Sequence, residues 1–151
     1  MIKILLDAGV KINTTLRDVP SPLGVAIQNG CTETAKYLVK EGAYWSLSWS
    51  LMVESLVRSA RYDAYDMAAF LLSHGAKPNV ADSSGSTPIG CAVYEGHVKM
   101  VALLLRAGAA PDLYMEPGFT LLDHAKLRGM KEIVTLLEKE RRPAEGVDVS
   151  P

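Results

Sequence analysis

A short phrase recurs in this chain at a fixed interval: two aliphatic residues, two further residues, a glycine, and then a small or aliphatic residue. It occupies residues 5–10, 38–43, 71–76 and 104–109, so its four glycines are each 33 residues apart. Three identical intervals are not expected by chance, and periods of about 20–50 residues are typical of repeat arrays. The periodicity therefore restricts the fold to stacked copies of one small unit.

The interval of 33 residues also separates two other sets of positions. One set is a triplet at residues 21–23, 54–56, 87–89 and 120–122. It reads Ser-Pro-Leu in the first copy and Thr-Pro-Ile in the third. The other set contains Gly30, Asp63, Gly96 and Gly129. Because three independent marks share one period, the register of the repeat is fixed.

Each unit is predicted to form two short helices. Thr87 is a good N-cap because its hydroxyl can accept a hydrogen bond from the first turn, and Pro88 suits the first helical position. This helix ends near Gly96, and a second follows over residues 97–107 until Gly108 ends it in a left-handed conformation. The apolar residues of the second helix share one face at helical spacing: Val98, Val101, Leu104 and Leu105.

Helices this short cannot bury an apolar face alone, so the units must stack on one another. Equivalent residues then form ladders through the stack. One predicted ladder contains Leu5, Leu38, Leu71, Leu104 and Leu137. A second runs beside it and contains Ile4, Tyr37, Phe70, Leu103 and Leu136. Burial of one such side chain contributes about 1.5–3 kcal/mol, so the ladders are the expected core.

The composition argues against nucleic acid as a partner. The 151 residues carry 16 basic and 17 acidic side chains for a net charge of −1, whereas a nucleic-acid surface needs clustered Lys and Arg. No run approaches the roughly 18 apolar residues of a membrane span, so no membrane insertion is expected. Cys31 and Cys91 lie in different units and are expected to be reduced, mostly buried thiols in an intracellular protein, cytoplasmic or nuclear.

The third full unit carries the most regular copy of the pattern. Residues 82–89 read Asp-Ser-Ser-Gly-Ser-Thr-Pro-Ile, and Gly96-His97 and Gly108-Ala109 follow. With its period of 33, this pattern resembles the ankyrin repeat, whose mark is Thr-Pro-Leu-His-x-Ala. The resemblance implies an all-α fold, an ankyrin-repeat solenoid of stacked helix–turn–helix units. It also implies that His97 supports the turn between units, and that a concave face binds other proteins.

This resemblance divides the chain into a single array over residues 1–141 and a tail, 142–151, that is expected to be disordered. A partial unit at 1–15 lacks its first helix. Three full units follow, at about 16–48, 49–81 and 82–114, and a C-terminal capping unit covers 115–141. The incomplete first unit suits either a fragment of a longer array or self-association through that end, and the sequence leaves both open.

The second full unit departs from the pattern. Residues 44–52 contain no Gly, Pro, Asn or Asp, so an altered loop or an extra helical turn is expected there instead of a standard hairpin tip. Asp63 replaces the turn glycine, and aspartate tolerates a left-handed conformation. Trp45 and Trp49 either line a pocket or only pack this irregular unit.

No catalytic or metal-binding pattern is recognisable in the sequence. The histidines and cysteines lack the spacing of zinc ligands, and there is no Gly-rich phosphate loop and no serine in a nucleophile elbow. We therefore expect no cofactor, no metal and no enzymatic activity. His124 and the preceding Asp123 diverge on a helix and cannot form a dyad, so His124 is interpreted as a polar core or interface histidine.

The candidate site is instead the surface that the resemblance assigns to the concave groove. This surface combines the turn tips with the exposed side of each first helix. Its candidate binding residues are Arg17, Asp18, Gln28, Leu51, Arg61, Tyr62, Tyr94, Glu95, Tyr114, Phe119 and Arg128. Tyrosine and arginine are among the residue types enriched at binding hot spots, which favours a binding role for the set.

Two functions of different classes remain open. The first is a non-enzymatic module that binds a protein or peptide partner through the groove. The alternative is a small-molecule-binding or catalytic pocket formed among the aromatic residues of the groove. Its candidate proton donors and acceptors are Tyr62, Asp63, Tyr94, Asp123 and His124.

Overall fold

The computed structural model describes residues 11–13, 21–44 and 48–140, with the backbone alone at 114–116. Within these residues the chain forms eight α-helices and two short strands. The helices are α1 Pro22–Gln28, α2 Thr32–Lys40, α3 Trp49–Arg61, α4 Tyr65–Ser73, α5 Pro88–Glu95, α6 Val98–Arg106, α7 Leu121–Leu127 and α8 Lys131–Glu140. The strands β1 Tyr114–Glu116 and β2 Phe119–Thr120 pair antiparallel.

The described helices form four pairs, and the two helices of each pair are joined by a tight turn. One residue of each turn adopts a left-handed conformation: the φ angles are 71° at Gly30, 53° at Asp63, 81° at Gly96 and 65° at Gly129. Asp63 is the one non-glycine residue with a positive φ in the described part of the chain. The predicted left-handed aspartate is thereby confirmed, and its short polar side chain is what makes this conformation tolerable.

Hydroxyl side chains begin the first helix of each pair, and the cap at Thr87 is the one predicted. Ser21 Oγ accepts from the Gly24 N–H at 3.1 Å, and Thr87 Oγ1 accepts from the Gly90 N–H at 3.2 Å. Thr120 goes further, because its hydroxyl and the Asp123 carboxylate form a reciprocal capping box at the start of α7. These caps satisfy N–H groups that have no partner inside the helix.

Helix α3 is longer than the other first helices. It has 13 residues, against 7 in α1 and 8 in α5, and its N-cap Ser48 accepts from the Leu51 N–H at 3.2 Å. Of the two expected alternatives for this stretch, the extra helical turn is the one present from Trp49 onward. Residues 45–47, which include Trp45, lie outside the described part of the chain. The helix starts early because nothing after Ser48 breaks it.

The helices pack in two layers that run through the stack. The first helices α1, α3, α5 and α7 contact one another in order, and the second helices α2, α4, α6 and α8 do the same. The predicted leucine ladder lies in the core, where Leu38, Leu71, Leu104 and Leu137 are at most 3% exposed. In the second ladder Phe70 is buried, while Tyr37, Leu103 and Leu136 are half-buried. The predicted rungs Leu5 and Ile4 fall outside the described residues.

Two asparagines, 66 residues apart in the sequence and so at equivalent places two units apart, join neighbouring units. Asn13 donates to the Gly42 carbonyl at 3.1 Å and accepts from the Tyr44 N–H at 2.7 Å. Asn79 makes the same two bonds to the Gly108 carbonyl and the Ala110 N–H, both at 2.8 Å. Each asparagine side chain therefore joins its own unit to the loop that follows the second helix of the next unit. The periodicity alone did not indicate these contacts.

The strands β1 and β2 add a small hairpin to the otherwise helical fold. They precede α7 directly, and the backbone N–H of Leu121 also donates to the Leu113 carbonyl at 3.0 Å. The hairpin occupies the place of a turn tip in the last unit, so the all-α architecture is unchanged. None of the described helices is long and apolar enough to cross a membrane.

Candidate functional site

A cleft of about 530 Å³ opens where the second, third and fourth units meet, and we call it the inter-unit cleft. One wall is Arg61 at the end of α3, and another is the loop of residues 84–87 that precedes α5. Helix α5 supplies the floor through Cys91 and Tyr94, and Glu95 lies at its far end. Leu113, at the end of the third unit, and Leu121, in the fourth, close the cleft on the other side.

The guanidinium of Arg61 crosses from its own unit to the next one. Its Nη2 lies 3.4 Å from Ser86 Oγ and 3.7 Å from Cys91 Sγ. The contact with Cys91 raises the pKa of Arg61 above its already high ordinary value, so the group is charged at physiological pH. The backbone carbonyl of Arg61 accepts from His97 Nε2 at 3.0 Å. This bond ties His97 to the neighbouring unit, in line with the turn-supporting role implied for it.

The loop before α5 is organised by one carboxylate oxygen. Asp82 Oδ1 accepts from the Ser84 N–H at 2.9 Å, the Ser84 hydroxyl at 2.6 Å and the Ser86 N–H at 3.0 Å. Burial raises the pKa of the Asp82 carboxyl, but these bonds and the charge of Arg61 lower it more, so its pKa lies below the ordinary value. The loop therefore presents its hydroxyls to the cleft from a fixed backbone.

The two cysteines are less buried than the sequence suggested. Cys31 is exposed and Cys91 is half-buried, and both are free thiols. The expectation of mostly buried thiols is therefore wrong. Cys31 is exposed because it is the N-cap residue of α2, in the surface turn between two helices. Cys91 lines the inter-unit cleft one helical turn before Tyr94.

Tyr94 is the aromatic residue among the described residues that line the cleft. Its side chain is 53% exposed on one side, and on the other it stacks on His124 with ring centroids 5.4 Å apart. The ring of Phe119 meets the other edge of His124 at 6.4 Å in a T-shaped contact. His124 is buried between them, and its Nε2 has no hydrogen-bond partner among the described residues. The interpretation of His124 as a buried polar histidine is confirmed.

The inter-unit cleft brings together three of the candidate residues, Arg61, Tyr94 and Glu95. Tyr62 and Arg128 are exposed C-cap residues of α3 and α7, on the same side of their units but outside this cleft. The remaining candidates lie further away or outside what the structure describes.

Gln28 is the exposed last residue of α1, and Phe119 is half-buried against His124. Leu51 was assigned to a turn tip, but it is half-buried within α3 because that helix begins early. Arg17 and Asp18 lie outside the described residues, and of Tyr114 only the backbone in β1 is described.

Among the groups named for the alternative, catalytic function, Tyr94 and His124 stack on each other, but the other three are engaged or placed elsewhere. Asp123 is engaged by Thr120, whose N–H and hydroxyl donate to Asp123 Oδ2 at 2.9 and 2.7 Å. Asp63 lies in the turn after α3, and Tyr62 is an exposed C-cap. Across the described ranges, no group of three His, Cys, Asp or Glu side chains has an arrangement that could hold a metal ion.

Several cleft residues were not among the candidates. Cys91 follows from helical spacing, because it precedes Tyr94 by three residues and must share its face. Leu113 and Leu121 carry no such signal, since they lie outside α5, at the end of the third unit and in the fourth, and reach the cleft only through tertiary packing. Their contribution depends on tertiary packing and could not be read from the repeat.

The comparisons with known families identify one match over nearly the whole chain. A family model described as "Ankyrin repeats (3 copies)" matches residues 1–82 and 51–145. A crystal structure of an ankyrin repeat domain from Acinetobacter baumannii AYE superposes with a TM-score of 0.69 at 28% identity. The superposition covers 91% of this chain and 73% of that one.

Curated relatives share similarity of the same kind. A putative ankyrin repeat-containing protein of Treponema pallidum is 31% identical over 140 residues, which are 91% of this chain and 46% of that protein. The mouse ankyrin repeat, SAM and basic leucine zipper domain-containing protein 1 is 30% identical over 106 residues, 68% of this chain. The matched part spans only 22% of the mouse protein and less than half of the bacterial one.

Proposed function

This chain belongs to the ankyrin-repeat family, whose fold generally serves as a non-enzymatic scaffold for protein–protein interactions, and from that premise we propose that it binds a protein or peptide partner through its groove. The proposed site is the inter-unit cleft and the exposed residues beside it. The mechanism is preorganisation, since a binding surface that is already ordered loses little conformational entropy when a partner docks.

One observation carries the proposal: Arg61 and Tyr94 stand together in an open cleft with much of their surface uncommitted. Tyr94 is 53% exposed although it is aromatic, and Arg61 is exposed although its guanidinium lies against the next unit. Tyrosine and arginine dominate binding hot spots, because each combines apolar area with directed hydrogen-bond donors. The backbone beside the cleft is held by hydrogen bonds, from His97 to the Arg61 carbonyl and from the Ser84 and Ser86 N–H groups to Asp82. This order supports the proposal of a preorganised binding surface.

The test is affinity capture from a lysate of the source cells with three forms of the full chain. The first is the wild type, and the second is the double variant Tyr94→Asp with Arg61→Glu. The third is a matched control, Tyr65→Asp with Lys99→Glu, which makes the same charge changes in a different cleft. Circular dichroism verifies that all three are folded.

A partner that the wild type and the control retain and the groove variant loses is the expected result. Equal retention by all three forms would reject the inter-unit cleft as the binding site. Loss in the control but not in the groove variant would move the binding site to the surface around Tyr65, between α4, α6 and α8.

A further inference from the structure

The guanidinium of Arg61 has unused hydrogen-bonding capacity. Its two contacts, to Ser86 Oγ at 3.4 Å and Cys91 Sγ at 3.7 Å, are long and both involve Nη2. Among the described residues no carboxylate lies within 4.0 Å of it, and its Nη1 and Nε make no hydrogen bond. An arginine has five N–H donors in a planar fork, so most of them face the cleft or solvent without a partner.

The loop beside Arg61 adds two further polar groups at the same end of the cleft. Ser84 Oγ and Ser86 Oγ are 3.0 Å apart, and both residues line the cleft. The Asp82 carboxylate acts on Arg61 at longer range, but its Oδ1 is already occupied by the backbone and hydroxyl of this loop. A guanidinium flanked by hydroxyls is a surface that fits a carboxylate, which accepts paired N–H···O bonds.

The other end of the cleft is apolar. Tyr94 lies one helical turn beyond Cys91, about 5–6 Å away between Cβ atoms, and Leu113 and Leu121 face it. One face of the Tyr94 ring stacks on the ring of His124, which fixes the orientation of Tyr94. Because the ring is already oriented, an apolar side chain that packs on its free face need not order it first.

Glu95 sets a limit on what this apolar end accepts. It is four residues beyond Cys91 on α5, about 6 Å along the helix at 1.5 Å per residue. Its carboxylate forms no ion pair with the guanidinium of Arg61, since neither ion pair among the described residues involves Arg61. A second acidic group at the Tyr94 end would be repelled, so the cleft distinguishes its two ends by charge.

We infer that the inter-unit cleft binds an extended peptide segment that carries Asp or Glu opposite Arg61 and a large apolar side chain two residues away against Tyr94. In an extended chain, residues two apart point to the same side and are about 7 Å from each other. This is close to the separation of about 5–6 Å between Cys91, which the guanidinium contacts, and Tyr94 on α5. The inference rests on the proposed function and adds the chemistry of the partner.

The test uses a phage-displayed library of random dodecapeptides, selected separately against the full-length wild type and three variants. Arg61→Glu reverses the charge in the cleft, and Tyr94→Ala removes the aromatic face. Lys99→Glu makes a matched charge reversal on α6, in the cleft that also contains Tyr65. Peptides are aligned after selection, and their affinities are measured by fluorescence polarisation.

Wild type and Lys99→Glu are expected to select the same pattern, an acidic residue and an apolar residue two positions apart. Arg61→Glu should select Lys or Arg in place of the acidic residue, and it should bind the wild-type peptides about tenfold more weakly. Tyr94→Ala should keep the acidic preference and lose the apolar one.

The outcomes separate this inference from the proposed function. Peptides that depend on Tyr94 but contain no preferred acidic position, and that bind Arg61→Glu equally well, would overturn the inference and leave groove binding intact. Selection of peptides that bind all four forms alike would overturn both, because neither end of the cleft would then take part.

Discussion

The side chains of Tyr94 and His124 stack across the boundary between the third and fourth units, with ring planes inclined by 23°. This contact links an exposed residue of the candidate site to a histidine that is only 8% exposed. The buried Nε2 of His124 has no hydrogen-bond partner in the described part of the chain. The stack therefore orients Tyr94 at the cost of an unsatisfied polar atom in the core.

Replacement of His124 by leucine is expected to stabilise the fold. The substitution removes a buried polar atom without a partner, which costs about 1–3 kcal/mol, and it loses an aromatic stack worth about 0.5–1.5 kcal/mol. The net gain should be about 1 kcal/mol in the free energy of unfolding, measured by urea denaturation. His97→Leu is the matched control, and it should destabilise because His97 Nε2 donates to the Arg61 carbonyl. A loss of stability in both variants would contradict this account of His124.

Truncation of a central rung of the leucine ladder should be costly. Leu71 lies on α4 and is fully buried, so Leu71→Ala is expected to lower the free energy of unfolding by about 2–5 kcal/mol. Leu127→Ala is the control, because Leu127 is 77% exposed and its loss should change stability by less than about 0.5 kcal/mol. Urea unfolding followed by circular dichroism measures both. Similar effects in the two variants would count against the ladder as the core.

Asn79 is predicted to stabilise the contact between neighbouring units more than an asparagine that bonds within its own unit. Asn79→Ala removes two bonds to the loop of the next unit and should cost about 1–2 kcal/mol. Asn29→Ala removes one bond, to the Val25 carbonyl within its own unit, and should cost less. Hydrogen exchange at the Ala110 amide provides a local readout, since this N–H is bonded to Asn79 Oδ1. Unchanged protection of that amide in Asn79→Ala would refute the bridge.

The loop before α5 should lose stability in acid. The folded-state pKa of Asp82 is lower than its ordinary value, so the ionised carboxylate stabilises the fold above about pH 4. This contribution is lost as the pH falls through the folded-state pKa. Asp82→Asn is therefore expected to be about 1 kcal/mol less stable than the wild type at neutral pH, and the difference should shrink as the pH falls below about 4. A difference that is constant with pH would show that the charge of Asp82 is not involved.

The sequence predicted the repeat-level features of the fold because each has a local cause. A hydroxyl before Pro88 marks a helix start, and Asp63 at a glycine position marks a left-handed turn. The absence of helix breakers over residues 44–52 left two alternatives for the second unit, an altered loop or an extra helical turn. The structure has the longer helix, which begins at Trp49. Such features depend on the conformation of a few consecutive residues, so a single sequence with an exact period can reveal them.

The candidate site was predicted less completely. Arg61 and Tyr94 could be assigned to one surface because equivalent positions of successive units lie side by side. The contact of Arg61 with Cys91, thirty residues away, could not be assigned, because it depends on the direction that a long side chain takes across a unit boundary. The orphaned Nε2 of His124 likewise became visible only once Phe119 and Tyr94 were seen to enclose its ring.

The sequence by itself thus determined the unit, its period and the residues that form the core, because a repeat that buries one face must carry the same apolar residue at Leu38, Leu71 and Leu104. Only the tertiary structure decided how neighbouring units join at Asn79 and which side chains meet in the inter-unit cleft. The physical reason is that periodicity records which positions are equivalent. Contacts between non-equivalent positions depend on side-chain length and direction after stacking, which no period specifies.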